Sequence, residues 1–282
     1  APRSISQTPE NITVITADQI RRMNAHNLDD VLRRVPGVYI ASTRDFGSVG
    51  VVFFQGSEAR HLRVLLDGMN LNYITAGVFQ SNAVPVEIIH RIEIIKGPAS
   101  SAWGSSLGGV INIITKNTGY AAKPSGIVQG SYGDGDSQDY RAAAAGAAGT
   151  AGYYLYAGHQ TSHGLMPDRG YERDSLFGKL SFTPFDRVDI DVSMGYSDPF
   201  VNNGQIPSFD IESEQTYHTR FGNLSVNASL TRDMDASLFA YALTRDNTDH
   251  TDTLGLGIWG TEPELFQEQR VDEEVMGAAM RV

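Results

Sequence analysis

The chain has 282 residues, enough for one large domain or two ordinary ones. Its 33 acidic against 22 basic residues give a formal net charge of -11, which argues against nucleic acid as a partner, because phosphate recognition needs a basic footprint. The absence of cysteine rules out disulfides and thiolate metal sites. No apolar run approaches the ~18 residues of a spanning helix, a test that says nothing of a barrel.

Residues 1–10, polar with Pro2 and Pro9, read as an extended lead-in. Asn11 to Thr16 is a short strand, and Thr16 with Gln19 forms a capping-box pair that starts a helix carrying Ile20 and Met23. From Asn27 a second helical turn begins, with Leu28, Val31, Leu32 and Val35 on one apolar face, and Pro36-Gly37 ends it. Val51–Phe54, Arg63–Leu66 and Met69–Leu71 are short strands, the last two joined by an Asp67-Gly68 hairpin signal. Pro85 suits the first position of a short helix running to Ile89. Arg91 to Ile95 alternates charged and apolar residues as a half-buried strand does. Gly97-Pro98 stops it, because proline fixes φ and removes a donor. Gly104, Gly108 and Gly109 then permit close turns, and Val110 to Thr115 resumes as a strand.

The stretch from Arg91 to Lys116, RIEIIKGPASSAWGSSLGGVINIITK, resembles the signature of the plug domain of TonB-dependent outer-membrane receptors, close to "RIEVIRGPASALYGSGALGGVINIITK". LDDVLRRVPGVYI (Leu28 to Ile40) and LRVLLDGMNLN (Leu62 to Asn72) are similar to further plug motifs and stand in the family's order. The resemblance implies a plug over residues 11–118. Gly104-Ser105-Ser106-Leu107-Gly108 also fits the G-x-S-x-G nucleophile elbow. That elbow needs a strand just before the serine and a helix just after it, whereas a turn region precedes and Val110-Ile111 follows.

Residues 119–124 read as a polar linker, and from Ser125 the chain becomes a series of β segments. Val188, Ile190, Val192, Met194 and Tyr196 alternate with Asp189, Asp191, Ser193, Gly195 and Ser197. Leu224, Val226, Ala228 and Leu230 repeat this against Asn223, Ser225, Asn227 and Ser229. A soluble sandwich alternates too. The connections are more telling. Ala148–Ala151, Pro184–Arg187 and Thr231–Asp235 are short, whereas His163–Asp174, Asp198–Thr216 and Thr248–Glu268 are long, the one exception being Gly133–Gln138, which is short on the long side. Outer-membrane barrels have short turns at one end and long loops at the other. About eight strands are legible, whereas plugged transporters have 22. The expected fold is therefore a partial membrane β-barrel, about eight N-terminal antiparallel strands over residues 125–282, preceded by a mixed α/β plug. Either a longer receptor or another chain would complete the wall. Val188, Ile190, Val192, Leu224, Val226 and Leu230 are expected on the lipid side, and Asp189, Asp191, Asn223 and Ser225 on the other.

By resemblance, ligand meets the outer loops of the plug, here Thr43 to Val49 and Tyr73 to Ser81, so Arg44, Asp45, Phe46, Tyr73, Phe79 and Gln80 are the candidate ligand contacts. Two family arginines often described as ion-paired with the wall are replaced here by Gln55 and Lys96, which weakens or rebuilds plug-to-barrel contact. His159 and His163, four apart, are a candidate pair for haem iron or a metal, against the plainer reading as ordinary polar side chains. Asp134-Gly135-Asp136 begins like a calcium loop, but Ala145 stands where its glutamate belongs, so turn chemistry suffices. No metal site or resident cofactor is expected, and no enzyme. The implied function is energised uptake of a ferric siderophore, haem or cobalamin through the outer membrane, with lipid and the TonB-ExbB-ExbD complex as partners. No TonB-binding segment is evident before Asn11. The alternatives are a receptor-like structural or docking component without TonB-driven transport, and, weakest, a soluble β-rich enzyme.

Overall fold

The computed structural model describes residues 11–42, 46–47, 49–97, 106–166, 168–206, 210–231, 234–254 and 265–282. They fall into two units, one of residues 1–42 and 49–116, the other of residues 43–48 and 117–282.

The first unit is built on a five-stranded sheet. Its strands are β1 (Asn11–Thr16), β4 (Leu62–Leu66), β5 (Met69–Asn70), β6 (Ile89–Lys96) and β7 (Gly109–Thr115), in the order β1-β6-β7-β4-β5. Only β4 and β7 pair in parallel. β7 is buried along nearly its whole length, so its sequence GVINIIT is a continuous apolar run broken by one asparagine. β6 buries Ile92, Ile94 and Ile95, each worth about 1.5–3 kcal/mol on removal from water. Gly109, at φ +140, lies where a Cβ would come within 2.6 Å of the Ile95 carbonyl, so the glycine is required by contact as well as by conformation. Asp67 (φ 47) and Gly68 (φ 89) make the tight turn between β4 and β5. The Asp67 carboxylate also accepts from the Thr115 backbone N–H (2.9 Å) and hydroxyl (2.5 Å), tying that turn to the end of β7.

Both helices start as the sequence indicates. α1 (Ala17–Arg22) has the Thr16–Gln19 capping box, and α2 (Leu28–Leu32) has an equivalent box from Asn27 and Asp30. Leu28, Val31, Leu32 and Val35 are all buried. Pro85 caps a 3-10 turn over Val86–Ile88 rather than opening a helix to Ile89, because Ile89 is already paired in β6. β2 (Val38–Ala41), an element absent from the sequence-based expectation, forms a two-stranded ribbon with β3 (Val51–Phe54). Four residues after a Pro-Gly stop are too few to show a period.

The second unit is a nine-stranded antiparallel sheet among the described residues. It contains β8 (Ser125–Gly133), β9 (Ser137–Ala148), β10 (Ala151–Ser162), β11 (Arg169–Phe185), β12 (Val188–Ser197), β13 (Phe200–Ile206), β14 (Ile211–Ser229), β15 (Asp235–Thr253) and β16 (Leu265–Arg281). β8 and β16 lie at its two ends. Gly119 N–H donates to the Tyr153 carbonyl (3.1 Å), and the Ala121 carbonyl accepts from Ala147 N–H (2.8 Å), so this part of the expected linker is bonded to the sheet.

Two expected loops are in good part strand. Arg169 to Asp174 belongs to β11, and β13 fills much of the span from Asp198 to Thr216. β13 continues the line of β12: Ser197 faces Ser175 and Thr219, and Phe200 faces Glu172 and Thr216 in unbroken register. The break is Pro199, which cannot donate to the ladder, although its carbonyl still accepts from Tyr217 N–H at 2.9 Å.

Candidate ligand loops and membrane-facing wall

In the segment 73–81, Asn72 holds the turn. Its Oδ1 accepts from Val64 N–H (2.8 Å), and its amide donates to the carbonyls of Leu62 (2.7 Å) and Gly77 (2.9 Å). This clamp turns Tyr73 and Phe79 inward, leaving them 7% and 3% exposed, while Ile74, Thr75 and Ala76 form the exposed crest. The Tyr73 hydroxyl donates to Gln80 Oε1 (3.0 Å), and Gln80 is half-buried. Of the candidate contacts here, then, only Gln80 reaches the surface as a polar group. Asn72 closes the motif LRVLLDGMNLN, but its residue type alone does not show the clamp it forms.

Arg44 and Asp45 lie outside the described residues. Phe46, grouped with the second unit, meets the ring of Tyr171 edge-on at 5.8 Å. Gly47 lies against the same ring so closely that a Cβ would come within 2.2 Å of it. Gln55 adopts φ 47 ahead of Gly56 at φ 75, is exposed, and its N–H donates to the Gly37 carbonyl at 2.7 Å. Lys96 ends β6, half-buried and opposite Gly109. Neither side chain has an ion-pair partner among the described residues.

The nine-stranded sheet separates its faces as the alternation requires. Leu155 faces Gly178, Leu180 faces Val192, Val192 faces Leu224, Ile190 faces Val226 and Val226 faces Leu238, so these residues lie on one face. That face is apolar and open, with Leu155, Leu176 and Met194 at 52%, 56% and 64% exposure. Leu230 lies just past the end of β14, outside the ladder.

The opposite face is polar and buried. Asp139 pairs with Arg141 and accepts from Gln160 Nε2 (2.7 Å), and Arg245 lies 3.4 Å from Glu273. Ser193 donates to Asn223 (2.9 Å), and Asp191 accepts from Ser181. Asp139 and Glu273 thus each have an arginine partner within the sheet. The sequence hint was only an arginine two places after an acid (Asp139, Arg141), since Arg245 and Glu273 stand on different strands.

The two histidines do not converge. His159 Nδ1 is 2.8 Å from Asp174, whereas His163 lies beyond the end of β10 with Asp136 at 3.3 Å. Asp134-Gly135-Asp136 is the β8–β9 hairpin turn, with Gly135 and Asp136 at positive φ. Of the G-x-S-x-G run, Gly104 and Ser105 lie outside the described residues.

Residues 4–110 match the TonB-dependent Receptor Plug Domain family. The siderophore receptor PirA from Acinetobacter baumannii is similar in structure at a TM-score of 0.73 and 20% identity, over 94% of this chain and 44% of that one. The copper transporter OprC gives 0.75 at 17%, over 97% and 44%. The ferripyoverdine receptor of the Pseudomonas aeruginosa outer membrane gives 0.67 at 19%, over 99% and 50%. The chain therefore spans about half the length of the structures it matches, and at these identities the likeness carries the fold. Residues 4–110 thus match a TonB-dependent receptor plug domain, and the chain as a whole shares the fold of these outer-membrane receptor structures.

Proposed function

We propose that the protein takes up a ferric siderophore across the bacterial outer membrane, energised by TonB. The observation that carries this reading is the joining of a plug domain to an antiparallel sheet with one open apolar face and one buried polar face. PirA and the ferripyoverdine receptor, among the similar structures, support the ligand class. Such transport makes and breaks no bond in its cargo, so the work of the chain is recognition and gating. Within this reading Arg44, Asp45, Phe46 and Gln80 supply ligand contacts, while Tyr73 and Phe79 hold the second loop in shape. Titrating the full-length protein in detergent with ferric siderophores, haem and cobalamin tests this reading. A ferric siderophore should bind saturably, and Arg44→Ala or Gln80→Ala should weaken it about tenfold or more, equivalent to about 1.4 kcal/mol. Saturation by haem or cobalamin with no response to any siderophore would contradict it.

A further inference from the structure

We propose that His159, Glu172 and Asp174 form a binding site for a divalent metal ion of the zinc class on the open face of the sheet. The register brings the three together. His159 on β10 stands directly opposite Asp174 on β11, and Glu172 lies one row further along on the same face. Their ligand atoms all lie within 4.8 Å of one another, with His159 Nδ1 2.8 Å from Asp174 Oδ1. Neither strand is at an edge of the sheet, since β9 pairs with β10 and β12 with β11. At this level Tyr140 of β9 flanks His159 and Phe200 of β13 flanks Glu172, while the Asp174 carbonyl accepts from Asp198 N–H at 3.2 Å.

The His159–Asp174 hydrogen bond alone leaves the group unbalanced. Glu172 has no hydrogen-bond or ion-pair partner among the described residues, although it sits beside a second carboxylate. Asp198 adds further negative charge, its Oδ1 accepting from Asp174 N–H at 3.0 Å. A divalent cation bonded to both His159 Nδ1 and Asp174 Oδ1 replaces their hydrogen bond, sitting off the line between them because two bonds of about 2.0 Å do not fit end to end in that space. It brings Glu172 into the same shell, and its charge offsets the two carboxylates. Any proton held between the imidazole and the carboxylates leaves to solvent as the metal enters. One imidazole and two carboxylates suit zinc better than calcium or magnesium, which take all-oxygen shells. Three protein ligands leave a fourth position for water. The place is open to solvent, with side-chain exposures of 41% for His159 and 58% for Asp174. It lies one row beyond Ala157 and Leu176, where the apolar face ends.

The test is calorimetric titration of zinc chloride into the full-length, chelator-treated protein in detergent, in two buffers of different ionisation enthalpy. One saturable site with buffer-dependent heat is expected. His159→Ala and Glu172→Gln should each lower its affinity by about tenfold or more, and His163→Ala should leave it unchanged. Retained folding of each variant is read from its heat-modifiable migration, and Glu172→Gln, at an exposed and unpartnered position, keeps the result decisive if His159→Ala assembles poorly. Absence of a saturable site overturns the proposal, as does binding indifferent to His159→Ala and Glu172→Gln, or equally weakened by His163→Ala.

Discussion

At the scale of single residues, the plug contains one acid whose setting opposes its charge. Asp29 is 5% exposed, and its Oδ2 comes so near Gly50 that a Cβ there would lie 2.3 Å away. Ser81 clamps Gly50, accepting from its N–H at 3.2 Å and donating to its carbonyl at 3.3 Å. Burial pushes the Asp29 carboxyl above its ordinary value, only partly offset by Ser81 and by Arg33, 3.7 Å away. The folded form thus holds this proton more tightly than the unfolded form does. Its contribution to stability is fully present below the ordinary carboxylate pKa and falls as pH rises through the raised one. Hydrogen-exchange protection of the α2 amides should therefore decline as pH rises above the ordinary carboxylate range, and Asp29→Asn should flatten that slope. An unchanged slope would show that Asp29 is not its source. Local pairs were legible in the sequence, such as Thr16 with Gln19, because both partners lie within one turn. The Asp67–Thr115 bridge spans 48 positions and the Asn72 clamp works through backbone groups, so neither leaves a pattern in the chain. For the same reason Tyr73 and Phe79 read as surface aromatics, although the clamp turns both inward.

At the scale of elements, alternation located the strands but not their full lengths. β15 runs to Thr253, yet from Arg245 onward its sequence RDNTDHTDT is polar on both faces, so nothing in the pattern distinguishes it from a loop. β13 (FVNNGQI) was hidden because its apolar residues stand only near its ends and do not alternate, and by Pro199 ahead of it, which interrupts the ladder for a single residue. Where one face is apolar, the pattern and the register agree. Ile190, opposite Phe182 and Val226 on the open face, should therefore tolerate a charge poorly. Ile190→Arg should cost about 2–4 kcal/mol if it lies near the membrane midplane. Asp191→Ala, on the other face, should cost much less. The yield of heat-modifiable, folded protein in outer-membrane fractions would distinguish them, and equal yields would contradict the assignment of faces.

At the scale of the whole molecule, the plug motifs and the order of elements were readable because they are contiguous, whereas the shape of the proposed ligand loops depends on pairings the sequence does not display. The chain spans 44% of PirA and 50% of the ferripyoverdine receptor. The central claim is TonB-driven uptake. The most direct measurement is accumulation of radiolabelled ferric siderophore by cells producing the full-length protein as their sole candidate receptor, compared with otherwise identical cells lacking TonB. Accumulation should be robust with TonB and fall to background without it. Equal accumulation in both strains, or none in either despite folded protein in the outer membrane, would contradict the account and favour a docking or structural role.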